Sequence, residues 1–167
     1  GSTGSVGRQT LDLVRSFPQE FSVVGLGAGY NLELLAQEAE EFHPKVVSCQ
    51  NPEEISASRL PTECRRVSQE EVASHPEVDM VVAASVGKAG LRPLMAALQA
   101  GKAVALANKE PIVMDGEMVM AAAKRNGAAI LPVDSEPSAI WQCLRGEDKE
   151  LSRVMITASG GPFRKRT

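Results

Sequence analysis

Apolar residues recur along this chain in two alternating rhythms. Leu11, Val14 and Phe17 return at helical spacing, so GSTGSVGRQTLDLVRSF reads as a glycine turn feeding a helix. Phe21 to Leu26 reads as a short buried strand ending in the turn Gly27-Ala28-Gly29. Leu32, Leu34, Leu35 and Ala39 predict a second helix that stops near His43-Pro44, and Val46-Val47-Ser48 predicts a second strand. The stretch from Glu53 to Glu71 is polar and mixed and predicts no definite element. Met80 to Ala84, Val104 to Ala107 and Ala129 to Val133 are apolar runs of strand length. Between them lie two helical patterns, Leu91 to Ala100 closed by Gly101, and Gly116 to Arg125 stopped by Asn126-Gly127. A short helix is expected around Ala139 to Leu144 and a last strand over Arg153 to Thr157. Strands alternating with helices imply right-handed parallel crossovers, hence a doubly wound, mostly parallel α/β sheet.

A glycine loop that opens a helix ordinarily follows a strand, yet here the chain starts on the loop. It also stops a few residues after its last predicted strand. The expectation is a piece of a longer protein with the first strand missing. The start at Gly1 without a Met leaves open whether a leader precedes it.

Composition narrows the partners. Aromatic residues are 4% of the chain against 43% hydrophobic overall, so aliphatic side chains must build the core. A net charge of −3 argues against a nucleic-acid or anionic-membrane surface, which would call for a basic stripe. The one dense basic run, Arg164-Lys165-Arg166, reads as a solvated end. No apolar stretch approaches the roughly 18 residues that span a bilayer. Cys49, Cys64 and Cys143 are odd in number and form no CxxC pair, which fits free thiols in a reducing compartment and not a zinc site.

Five segments carry candidate chemistry. In Gly1-Ser2-Thr3-Gly4-Ser5-Val6-Gly7 the glycines let a backbone approach a pyrophosphate, and the helix that follows offers unpaired N–H groups. A glycine-serine cloning remnant is the plain alternative. The end of the next predicted strand, Gly27 to Asn31, has no acid where an NAD enzyme would hold ribose hydroxyls. That favours NADPH, and Arg8 is either a partner for its 2′-phosphate or an ordinary surface residue. Ala107-Asn108-Lys109-Glu110 places polar residues where ligands bind in parallel sheets, or forms a solvated turn. In Pro132-Val133-Asp134-Ser135-Glu136, residues i and i+2 on an extended chain point the same way, so Asp134 and Glu136 converge. Two hard oxygen ligands without His or Cys suggest Mg2+ or Mn2+, while a helix N-cap at Asp134 explains the same residues structurally. Thr157 to Phe163 contains a Ser-Gly-Gly loop that either wraps an anion or simply turns.

Taken in order, GSTGSVG, AGYN, SVGKAGL, ANKE, PVDSE and SGGPF resemble the 1-deoxy-D-xylulose 5-phosphate reductoisomerase family over the whole chain. The resemblance implies a Rossmann-like domain over residues 1–133 that binds NADPH, and the start of a catalytic, metal-binding domain over 134–167. It implies rearrangement of 1-deoxy-D-xylulose 5-phosphate to an aldehyde, then NADPH-dependent reduction to 2-C-methyl-D-erythritol 4-phosphate, assisted by Mg2+ or Mn2+, with Co2+ a further candidate. Thr3, Gly4, Ser5 and Val6 would hold the pyrophosphate, and Gly29, Tyr30 and Asn31 the adenosine end. Asn108 and Glu110 would lie on the nicotinamide side, and Lys109 would contact substrate. Asp134 and Glu136 would be metal ligands, Lys109 and Glu136 catalytic, and Ser135, Glu136 and Ser159 part of the substrate pocket. A homodimer of the full-length protein follows by the same resemblance, in the cytoplasm of a bacterium or the plastid of a plant. The chain departs from the family pattern at Pro111, where Ser is usual, at Pro137, where His is usual, and at Tyr30. Two other readings stand beside this one. The first is an NADPH oxidoreductase of the semialdehyde or homoserine dehydrogenase type, which would not need the metal pair. The second is a non-catalytic dinucleotide-binding module, which would not need Lys109, Asp134 and Glu136.

Overall fold

The structure, a computed structural model, describes residues 1–51, 60–146 and 151–156. Two three-stranded parallel sheets form its frame. The first consists of β1 (Gly25–Gly27), β2 (Val46–Ser48) and β3 (Arg65–Arg66), side by side in chain order. Gly25 pairs with Val46, and Val46 in turn with Arg65. The second consists of β4 (Met80–Ala83), β5 (Ala103–Leu106) and β6 (Ile130–Pro132), with Met80 opposite Ala103 and Val104 opposite Ile130. Helix α1 (Ser5–Ser16) precedes β1, and helices α2 (Leu32–Phe42), α3 (Gln69–Ser74), α4 (Leu91–Gln99), α5 (Glu110–Asn126) and α6 (Ser135–Leu144) lie between and after the strands. Every strand pair is parallel, so the carboxyl ends within each sheet share one edge.

Each sheet has its own apolar cluster. Leu11 of α1, Leu35 and Ala39 of α2, and Leu26 and Val47 of the strands pack on the first sheet. Leu94 and Leu98 of α4, Val104, and Val119 and Ala122 of α5 pack on the second. These side chains are aliphatic, as the low aromatic content requires. The helix stops follow backbone chemistry: Gly101 and Gly127 take positive φ, where a Cβ would be strained. None of the three cysteines is in a disulfide. No helix among the described residues is long and apolar enough to cross a membrane.

Several elements differ from the sequence expectation. The first strand pairs only over Gly25–Gly27, and Phe21 is exposed. Val24 still accepts from Lys45 N at 2.9 Å, so the run approaches the ladder before joining it. The polar stretch contains β3 and α3, the latter opened by a capping box in which Ser68 and Glu71 bond each other's backbone N–H. Helix α5 begins six residues early, at Glu110, because Pro111 suits a first turn; a non-helical Asp115 then kinks it. Helix α6 begins at Ser135, not near Ala139. Residues 153–156 form no strand, and Val154, Met155 and Ile156 are exposed, since no strand among the described residues pairs with them. Thr157 and the Ser-Gly-Gly loop, Ser159 included, lie outside the described residues.

A slot separates the two sheets. Gly1 donates its terminal N–H to Gly27 O at the end of β1, and Ser2 N donates to the same oxygen at 2.8 Å. On its other side, a Cβ at Gly1 would come within 2.5 Å of Ala84 O, just past β4. One residue of chain therefore fills the gap between the strand ends. Behind it runs a cavity of about 620 Å³, faced by Val23, Val24 and Leu26 on one side and Val81, Val82 and Ala83 on the other.

Candidate functional site

The glycine loop is held by close backbone packing. A Cβ at Gly7 would stand 2.2 Å from Gly1 O and 2.4 Å from Ser2 O, so only glycine lets the loop fold back on α1. A Cβ at Gly4 meets only Gly1 O, at 3.2 Å. Gly4 is the N-cap of α1, and no side chain caps that helix. The first-turn N–H groups of Ser5 and Val6 thus stand without a side-chain cap at the positive end of the helix dipole, next to Thr3. The cradle fits a dinucleotide pyrophosphate. Gly29 has no atom within 4 Å of its would-be Cβ, and Tyr30 is 81% exposed. Asn31 has a local task as well, because its Oδ1 accepts from Leu34 N at 3.1 Å and caps α2.

Asn108 points inward. It is 7% exposed, and its Nδ2 donates to Ser85 O and to Gly87 O at 3.3 Å. Its Oδ1 accepts from Glu110 N at 3.0 Å. Asn108 therefore ties the loop after β4 to the loop after β5. Gly90 leaves room for this tie, since a Cβ there would lie 2.9 Å from Asn108 Nδ2. The tie runs on to the glycine loop, because Gly1 packs on Ala84 and Ser85. Sequence reasoning noticed SVGKAGL only as a resemblance; its structural work, backbone carbonyls that hold Asn108, has no local signature.

The two acids of the DSE segment do not lie on an extended chain. Asp134 is the N-cap residue of α6 and Glu136 sits in its first turn, so both are placed by a helix start. Yet Asp134 makes no capping hydrogen bond. Its Oδ2 meets Lys109 Nζ at 2.8 Å instead, which joins the ends of β5 and β6. That carboxylate raises the Lys109 pKa, by its hydrogen bond first and its charge second. Ser135 Oγ donates to Glu136 Oε2 at 2.8 Å, and this bond is the main reason the Glu136 pKa is lowered. Lys109 and Glu110 are exposed, on the open side of the strand edge. Among the described residues no group of three or more His, Cys, Asp or Glu could hold a metal ion. Asp134 and Glu136 have the right chemistry for a hard divalent cation, but they supply only part of a shell.

Profile comparison matches residues 1–116 to 1-deoxy-D-xylulose 5-phosphate reductoisomerase and residues 130–167 to the C-terminal domain of that enzyme. The reductoisomerase of Pelotomaculum thermopropionicum is 50% identical over 99% of this chain, which corresponds to 45% of that protein. That of Shouchella clausii is 46% identical over the whole chain and 46% of its own length. A solved DOX-P reductoisomerase in complex with magnesium superposes with a TM-score of 0.88 at 36% identity, over all of this chain and 46% of that one. The Zymomonas mobilis enzyme in complex with NADPH gives 0.87 at 36% identity, again over all of this chain and 46% of that one. The chain spans a little under half the length of the relatives it matches. A glycine cradle at one strand edge, an Asn-held loop, a Lys–Asp bridge beside a second carboxylate, and matching profiles over both segments place this chain in the 1-deoxy-D-xylulose 5-phosphate reductoisomerase family.

Proposed function

We propose that the intact protein converts 1-deoxy-D-xylulose 5-phosphate to 2-C-methyl-D-erythritol 4-phosphate, using NADPH and a divalent cation, and that this chain supplies its cofactor cradle and two of its metal ligands. The observation that carries the reading is the Lys109–Asp134 bridge beside Glu136, reached from the glycine loop through Ser85 and Asn108. A dinucleotide module alone has no need of that bridge.

In this reading residues 1–133 are the cofactor domain and 134–167 begin the catalytic one. The N–H groups of Ser5 and Val6 bind pyrophosphate oxygens, helped by Thr3 and by the flexible Gly4. Gly29, Tyr30 and Asn31 line the adenosine end, where no carboxylate repels a 2′-phosphate. Asn108 and Glu110 bound the nicotinamide side; the inward amide of Asn108 orients that wall from behind. Bound NADPH supplies the hydride for the reductive half of the reaction. Asp134 and Glu136 hold Mg2+ or Mn2+, which as a Lewis acid polarises substrate oxygens. With a cation held by Asp134 and Glu136, Lys109 would direct its ammonium to substrate oxygen, and Ser135 and Ser159 would add hydroxyls to the same pocket. Homodimerisation and a bacterial cytoplasmic setting belong to the same proposal.

The test follows NADPH absorbance with the intact protein, 1-deoxy-D-xylulose 5-phosphate and Mg2+ or Mn2+. Oxidation should require both substrate and metal, stop on chelation, and show a higher kcat/KM for NADPH than for NADH. Metal-independent oxidation would favour the dehydrogenase reading. Equal use of NADH would show that the missing acid at the end of β1 was misread.

A further inference from the structure

Glu38 is a charged residue in a place that sequence patterning gives to the core. It lies on the inner face of α2 between Leu35 and Ala39 and is 3% exposed. Its carboxyl stands against the Ser2 hydroxyl of the glycine loop. Even so, Glu38 Oε2, Ser2 Oγ and Ser48 Oγ are buried without a hydrogen-bond partner. Unpaired buried oxygens are costly, and the two on Glu38 and Ser2, one of them in the glycine loop itself, call for an explanation.

We propose that Glu38 is a positioning residue for dinucleotide binding: as a neutral acid it shares a hydrogen bond with Ser2 and seats the glycine loop, and as a carboxylate it places a negative charge behind a loop that must receive a pyrophosphate, so that cofactor affinity falls as pH rises. This inference rests on the reading that NADPH occupies the glycine loop.

The surroundings favour the neutral acid. Burial is the largest influence on Glu38 and raises its pKa; the Ser2 hydroxyl, the Gly1 amine, Arg15 and Arg8 oppose it, in that order. The opposition is weaker than it looks. Arg15 is engaged by Glu41 at 2.6 Å and Asp12 at 2.5 Å, and Arg8 is exposed. The Gly1 amine is itself buried, with its pKa lowered to about 6 by desolvation. When a residue precedes Gly1, that nitrogen is an uncharged amide, and Glu38 loses this partner. The facing strands β1 and β2 bring no ionisable side chain. Deprotonation therefore leaves a poorly compensated charge under the cradle. Its field acts on an anion through a protein wall and not through bulk water.

The experiment measures NADPH Kd by calorimetry from about pH 5.5 to pH 8.5 on the intact wild type, Glu38→Gln and Ser2→Ala. NADPH titrates identically in all three, so differences between proteins are the readout. Glu38→Gln keeps the shape and a donor but cannot ionise. It should bind about threefold to tenfold more tightly than wild type at the alkaline end, with the difference vanishing at the acid end. Ser2→Ala, which leaves the acid without its hydroxyl partner, should weaken binding at acid pH and shift the pH at which affinity falls. Equal affinities for wild type and Glu38→Gln at both ends would overturn the proposal. If Glu38→Gln fails to fold, an unshifted profile in Ser2→Ala overturns it equally. Wild type that binds no NADPH at any pH strikes instead at the cofactor reading on which the inference rests.

Discussion

Asp134 occupies the N-cap position of α6 and leaves it uncapped, its carboxylate turned to Lys109. This separates two explanations of the same residue. As a cap, Asp would be replaceable by Asn, which caps as well. As a metal ligand, Asp134→Asn loses a charge that a hard cation needs. In the intact protein that substitution should raise the metal concentration for half-maximal activity by at least about tenfold and lower kcat, with NADPH Kd unchanged. Glu136→Gln should do at least as much. Metal titration of activity checks both, and wild-type dependence in Asp134→Asn would falsify the ligand assignment. The Ser135 hydroxyl holds Glu136 below the usual carboxylate range. A lowered carboxyl pKa favours the charged form, so cation binding is intact above the ordinary value and is lost as pH falls through the lowered one. Ser135→Ala should move that acid limb upward in pH, read as metal Kd against pH; an unmoved limb would mean the hydroxyl does not tune the ligand.

Loop and helix together make the proposed cofactor cradle, and two glycines test it in opposite directions. Gly7→Ala drives a Cβ into Gly1 O and Ser2 O, so the loop must unseat. It should cost about 1–3 kcal/mol of stability, typical of forced overpacking, and weaken NADPH binding by an order of magnitude or more. Gly29→Ala meets nothing and should leave the melting temperature unchanged. Thermal melts with NADPH titrations distinguish the pair; a tolerant Gly7→Ala would mean the loop is not held as described. The same elements show what patterning reveals. Helix α1, helix α4 with its Gly101 stop, and strands β2, β4 and β6 follow directly from spacing and terminators, because period and glycine chemistry are local. Helix α3 carried a local signal, Ser68 to Glu71, which the polar run around it obscured. The early starts of α5 and α6 were legible only as proline in a first turn and as an acid at an N-cap. What no pattern could show was long-range: the inward turn of Asn108 onto Ser85 and Gly87, the Lys109–Asp134 bridge, and a Glu on the apolar face of α2. Each of these depends on which strand ends become neighbours.

Across the molecule, cradle and acids share the strand edge, but nothing among the described residues covers them, and the acids lack a third partner. The chain alone should therefore not turn over 1-deoxy-D-xylulose 5-phosphate. Assay with NADPH and Mn2+ checks this, and rates in the ordinary enzyme range of roughly 1–10³ s⁻¹ would refute it. The two sheets expose facing edges, Gly25–Gly27 and Met80–Ala83, one chain width apart at Gly1. Edges of this kind invite a partner strand, whose backbone would satisfy both ladders while its apolar side chains fill the cavity. An apolar strand fused ahead of Gly1 should thus raise the melting temperature, and the same sequence with alternate residues changed to Lys should not. Supplied as a separate peptide, such a strand would convert the slot into the seam of a two-piece complementation pair, in which recovery of the cooperative melt reports that the pieces have met.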